Sequence, residues 1–148
     1  MKYTIENIID AIAGVLSYFE LPIYSSPQQQ GVTTPCFFIS LMPSNSDKLI
    51  DNRHMNDLAL DIVYLQQPNI VNAMDNVYPV IEYLDHNLDS FVYSDGTNEG
   101  VLHTYERSYS MEDGDLHYRL HVKTRTLIET DPTKILIIEE INNEIKGN

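Results

Sequence analysis

The chain has no tryptophan, one cysteine and six glycines, and it carries nine lysines and arginines against 22 acidic residues. Each shortage removes a class of explanation. One cysteine cannot close an internal disulfide, so the fold must rest on its apolar core, as in a reducing compartment. Cys36 lies in the apolar run PCFFI and reads as a small buried hydrophobe. A reactive thiol would want a basic, exposed setting. The glycines fall in no phosphate-binding spacing, which argues against a nucleotide loop. The net charge of -13 gives a surface that repels nucleic acid and anionic membranes. No run approaches the roughly 20 apolar residues of a membrane-spanning helix. The opening MKYTIENIID carries an early acid and no signal-peptide core, so export by that route is not expected.

Catalytic patterns are as scarce. Five histidines are present without HxH or HExxH spacing. His117 and His121 share a strand face, but four residues of strand put them about 13 Å apart, too far to hold one ion. Ser40, Ser44 and Ser46 lack the small-residue elbow of a hydrolase nucleophile. The sequence therefore predicts no enzyme, no metal and no cofactor.

What is present is pattern. At 148 residues the chain fits one domain with a substantial core. Thr4 can cap a helix from Ile5, in which Ile5, Ile8, Ile9, Ile12, Leu16 and Phe19 form one stripe, ended by Leu21-Pro22. Pro22 to Tyr24 is a short strand candidate, and the polar stretch 25–34 a loop. Cys36 to Met42 reads as a fully buried strand, followed by a polar connection from Pro43 to Asn52. The next strand alternates, with Leu58, Leu60, Ile62 and Tyr64 on one face and Asp57, Ala59 and Asp61 on the other. From an Asn69 cap, Ile70, Met74, Val77, Ile81, Leu84 and Leu88 predict a helix of about five turns. Pro79 should kink or break it.

Phe91 to Tyr93 is a strand closed by Asp95-Gly96. Gly100 to Met111 reads as a longer strand with Val101, His103, Tyr105, Arg107 and Tyr109 on one face. The acidic turn 112–115 leads into a strand from Leu116 to Ile128. There Leu116, Tyr118, Leu120 and Val122 face one way, and His117, Arg119, His121, Lys123 and Arg125 the other. The order of helix, strands, helix, strands and tail predicts an α+β fold, a mainly antiparallel sheet with two helices on one face. The domain is read as residues 1–130. Residues 131–148 form a C-terminal arm, helical from the Asp131-Pro132 start signal or extended because KILII is β-branched. Ile135, Ile138, Ile141 and Ile145 are its candidate contact residues, destined for their own subunit, a neighbour or another protein.

The sheet face away from the helices keeps Asp57, Asp61, Arg119, Lys123 and Arg125. It reads either as a solvated, charge-paired surface or as a subunit contact whose mixed signs fix orientation. Ten tyrosines offer a second interface signal. Tyr105, Tyr109 and Tyr118 on the hairpin suit an interface, or the half-buried side of a strand.

Four elements in order carry a resemblance: ENIIDAIAGVL, PCFFISLMPSNSDKLIDNRHMNDLALDIVYL, a helix with VYPVIEYLDHNL, and a hairpin ending DGDLHYRLHVKTRTLI. The set resembles the tail terminator proteins of tailed phages and prophages of low-GC Gram-positive bacteria, over most of residues 1–128. The PCFFI element, the NRH that follows and the strand DIVY are its most specific part. The tail TDPTKILIIEEINNEIKGN departs from the pattern. The resemblance implies a small α+β subunit that forms a ring, typically a hexamer, at the head-proximal end of the virion tail, assembled in the host cytoplasm. Such a ring caps the tail tube protein, stops polymerisation and meets a neck or head-completion protein, and the sheath protein where the tail contracts. DNA passes through without specific binding, for which an acidic lumen is suited. Alternatives are a neck protein joining head to tail and an adaptor module unrelated to phage.

Overall fold

A computed structural model of the chain describes residues 2–25 and 31–127. Its elements in order are α1 (Ile5–Leu16), β1 (Ile23–Tyr24), β2 (Cys36–Leu41), β3 (Asn45–Lys48), β4 (Arg53–Leu65), α2 (Met74–Asn87), β5 (Ser90–Ser94), β6 (Glu99–Glu112) and β7 (Asp115–Leu127). The strands build a curled, mixed sheet in the order β1-β2-β4-β7-β6-β5, with β3 beside β4. Every described pairing is antiparallel except β1 with β2, which is parallel.

The core follows from the period-2 and period-3.6 patterns. Ile8, Ile12 and Leu16 of α1 and Val77, Val80 and Leu84 of α2 are buried. They join one cluster with Phe37 and Ile39 of β2, Leu58, Leu60, Ile62 and Tyr64 of β4, and Leu116, Tyr118, Leu120 and Val122 of β7. Burying each such side chain is worth about 1.5–3 kcal/mol, so this cluster is the main force holding the layers together. Thr4 caps α1 as its type predicts, its hydroxyl accepting from the Asn7 amide at 3.1 Å. The helix ends at Leu16, earlier than Leu21-Pro22, through a 3-10 turn at Ser17–Phe19 and a left-handed Glu20.

Four further details differ from the sequence reading. First, the polar connection 43–52 contains β3, so β2 and β3 together run antiparallel to β4. Register moves by one residue where Pro43 and Ser44 face Leu58. The Ser44 hydroxyl accepts from the Ala59 amide at 2.9 Å and donates to the Met42 carbonyl at 2.9 Å, so a side chain bridges the irregularity. Second, α2 begins at Met74 rather than at Ile70. Asn69 and Asn72 adopt positive φ of 63° and 58°, which turn the chain before the helix can start. Third, α2 runs through Pro79 without a break in its span.

The fourth difference changes a face. Between Tyr105 and Ser108 the β6–β7 register shifts, and Glu106 sits at φ 47°. This bulge inserts a residue and inverts the alternation beyond it. Tyr105 lies opposite His121, on the face away from the helices, whereas Tyr109 lies opposite the core residue Tyr118. Val101, His103, Tyr105, Arg107 and Tyr109 therefore do not share one face. Arg107 instead reaches α2 and the turn after it, donating to the Asp85 carbonyl at 2.9 Å and to Asp89 Oδ1 at 3.2 Å. The arm 131–148, with Ile135, Ile138, Ile141 and Ile145, lies outside the described residues.

Candidate functional site: a charged sheet face

β4 and β7 pair over their full lengths, which puts Asp57 directly opposite Lys123, Ala59 opposite His121, and Asp61 opposite Arg119. Directly opposed residues share a face. Four of the five residues singled out from sequence thus form two opposite-sign pairs. Arg125 continues the row opposite Met55.

The side chains refine this pairing. Asp61 is nearly buried, at 9% exposure. Its Oδ2 lies 2.8 Å from His117 Nδ1 and 3.9 Å from Arg119 Nε. Glu112, at the end of β6, closes the group: its Oε1 accepts from Arg119 Nη2 at 2.8 Å, and its Oε2 lies 3.6 Å from His117 Nε2. The Arg119 guanidinium beside Glu112 holds that carboxyl below the usual range, and the carboxylate in turn raises the arginine. The sequence reading missed Glu112 and His117. His117 was legible, since its spacing puts it on the same face as Arg119, whereas Glu112 stands opposite Asp115 at the hairpin end, four ladder steps from Ser108, Arg119's own partner.

Farther along, the Lys123 ammonium stands 4.7 Å from the centroid of the Tyr105 ring. That is a cation–π contact in place of a direct ion pair with Asp57. His121 Nδ1 lies 3.7 Å from Asp57 Oδ1, and its ring stacks obliquely on Tyr105 at 5.3 Å. Burial, and after it the nearby Asp57 carboxylate, push the Tyr105 phenol well above its ordinary pKa. Among the described residues the Tyr105 hydroxyl and Asp57 Oδ1 nevertheless lack a partner at hydrogen-bonding geometry, as do Asp61 Oδ1 and Arg119 Nε.

The face is thus two linked polar groups, Asp61–His117–Arg119–Glu112 and Asp57–His121–Tyr105–Lys123, on a rigid three-strand platform. Most of its polar groups are turned toward one another. A cleft of about 410 Å³ lies at the same end of the sheet as the β6–β7 turn. Gln66, Gln67, Asn69, Asp113 and Asp115 are polar residues among its described lining.

The sequence matches the family described as phage tail terminator protein over residues 7–134. The chain belongs to that family. A phage tail terminator is a structural protein of the virion tail, and tail assembly is the setting in which the charged face must be read. The match runs from within α1 through β7 and so covers both linked polar groups. No curated protein matches the chain.

Proposed function

We propose that this tail terminator family member caps the tail tube as a homo-oligomeric ring, ends tail polymerisation and presents the surface on which the head or neck attaches. The family match over residues 7–134 carries this reading. The charged face supports it physically. Mixed signs held in fixed register specify orientation between subunits, and like-charge juxtaposition penalises wrong dockings. Within that reading Asp57, Asp61, Arg119, Lys123 and Arg125 are subunit-contact residues, and residues 131–148 are an intermolecular contact arm. A hexamer fits the ring. An acidic subunit lets DNA pass without adhering.

Particles made without this protein test the function. Overlong or unfinished tails are the expected result. Normal-length tails without heads would instead make the chain a neck protein. For the face, Lys123→Glu and Arg125→Glu alter exposed side chains, so the fold is expected to persist while subunit or tube association falls. For the arm, truncation after Thr130 is expected to preserve the melting temperature and abolish ring formation or capping. A markedly lower melting temperature would assign the arm to the domain's own core.

A further inference from the structure

Among the described residues several strand segments have an unpaired side, β5 at the end of the sheet included, and two of them lie on opposite sides of the β4–β7 pair. β5 covers β6 from Glu99 to His103 only. Past the bulge, Ser108 to Glu112 bond to β7 on one side, and among the described residues nothing pairs with the other side. All five residues are exposed. On the far side, among the described residues, β3 pairs with β4 alone, and its four residues are all exposed. An unpaired edge invites another strand, and proteins usually blunt it with proline, lysine or extreme shortness. β1 shows such blunting, as two residues behind Pro22. The β6 segment SYSME has neither proline nor lysine.

We propose that the open edge of β6, Ser108 to Glu112, takes β3, Asn45 to Lys48, of a second copy of this chain. This deepens the ring reading above by naming the strands that join. A second copy is favoured because one heterologous contact pairs these two segments with each other and repeats from subunit to subunit. A symmetric β6–β6 contact would leave β3 open.

Direction and register follow. β6 and β4 are each antiparallel to β7, and β3 is antiparallel to β4, so β3 is antiparallel to β6. Neighbours related by a ring rotation with strands in the same sense keep that relation. Side-chain alternation then lets Asp47, which shares a face with Asp57, stand opposite Ser108, Ser110 or Glu112. The first choice places Lys48 opposite Arg107, and the third places Asp47 opposite Glu112. Both oppose like charges, which destabilises a ladder. The middle register avoids both and pairs all four β3 residues: Asn45 with Glu112, Ser46 with Met111, Asp47 with Ser110, and Lys48 with Tyr109.

Cysteine cross-linking in the full chain tests this, since the native Cys36 is buried. Directly opposed strand residues fall within disulfide reach, whereas a two-residue offset does not. Asp47→Cys mixed with Ser110→Cys should give an oxidised dimer that neither forms alone. The double variant should give a ladder of linked subunits. Asp47→Cys mixed with Ser108→Cys should not link. Self-linking of Ser110→Cys, an oligomer without the Asp47–Ser110 link, or a chain that stays monomeric and unlinked at its highest soluble concentration each overturns the proposal. Tube capping without the link would remove this edge contact and keep the terminator function. The link without capping would keep the contact and remove the function.

Discussion

The Tyr118 phenol donates a 2.7 Å hydrogen bond to Asp85 Oδ1, tying the middle of β7 to α2. Tyr118 is fully buried while Asp85 is exposed. Burial, and then the Asp85 charge, push the phenol above its ordinary pKa. With Arg107 on the Asp85 carbonyl, one helical residue anchors two strands. Tyr118→Phe keeps the packing and removes the bond. Hydrogen bonds to charged groups contribute about 1.5–3 kcal/mol, and the exposed carboxylate can recover water, so a loss of about 1.5 kcal/mol is expected in denaturant unfolding. An unchanged unfolding midpoint would show that the bond does not couple the layers.

Pro79 is exposed inside α2 and cannot donate to the carbonyl four residues before it. Pro79→Ala should therefore stabilise. The helix-interior penalty of proline is about 3 kcal/mol, offset by about 0.4–1 kcal/mol of regained freedom in the unfolded chain. A net gain of about 2 kcal/mol would raise the melting temperature by several degrees. A fall would mean that the proline is needed to fit α2 to the sheet.

Asp95 gives a pH signature. Backbone amides of Asn98, Lys2 and Thr97 donate to its carboxylate and lower its pKa from 3.8 to about 2. A depressed folded pKa stabilises above the unfolded value, and that contribution is lost as pH falls through the folded one. Thermal unfolding followed from pH 5 downward should show this loss between about pH 4 and pH 2. Asp95→Ala should be less stable at neutral pH and show a shallower decline across that window. Parallel curves for both proteins would remove Asp95 from the acid response.

The β6–β7 turn has positive φ at both Asp113 and Gly114, 52° and 84°, the geometry of a type I′ hairpin. No atom lies within 4 Å of a Cβ built on Gly114, so a side chain there meets strain only from its own backbone. Gly114→Ala should cost about 1–2 kcal/mol, with Gly114→Asn recovering part of it. Equal stability of all three by chemical denaturation would show that the turn relaxes.

Strong periodicity was legible. The α1 stripe at Ile8, Ile12 and Leu16 and the alternations of β4 and β7 follow from apolar spacing, because each element has one face that must leave water, and the Thr4 cap follows from its residue type. The same logic put Asp57, Asp61, Arg119, Lys123 and Arg125 on one face. What escaped was set by backbone choices with weak sequence marks. Left-handed Asn69 and Asn72 delayed α2, since asparagine serves either as a cap or as a turn. β3 is polar and exposed, so no apolar alternation announced it. The bulge at Glu106 broke the period within β6, and Glu112 entered the site through a contact that strand spacing does not encode, whereas spacing had already put His117 on that face.

The step at Glu106 makes β6 a strand with two independent phases. Its first half displays Tyr105 to the charged face, and its second half turns Arg107 toward α2 and Tyr109 toward the core side. Either half can change its sequence without re-registering the other, so the β5–β6 hairpin and the β6–β7 hairpin can diversify separately. Flattening the bulge with every residue kept would fuse the phases. Tyr109 would swing to the charged side, the guanidinium would leave Asp85 and Asp89, and one helix would lose its grip on the sheet.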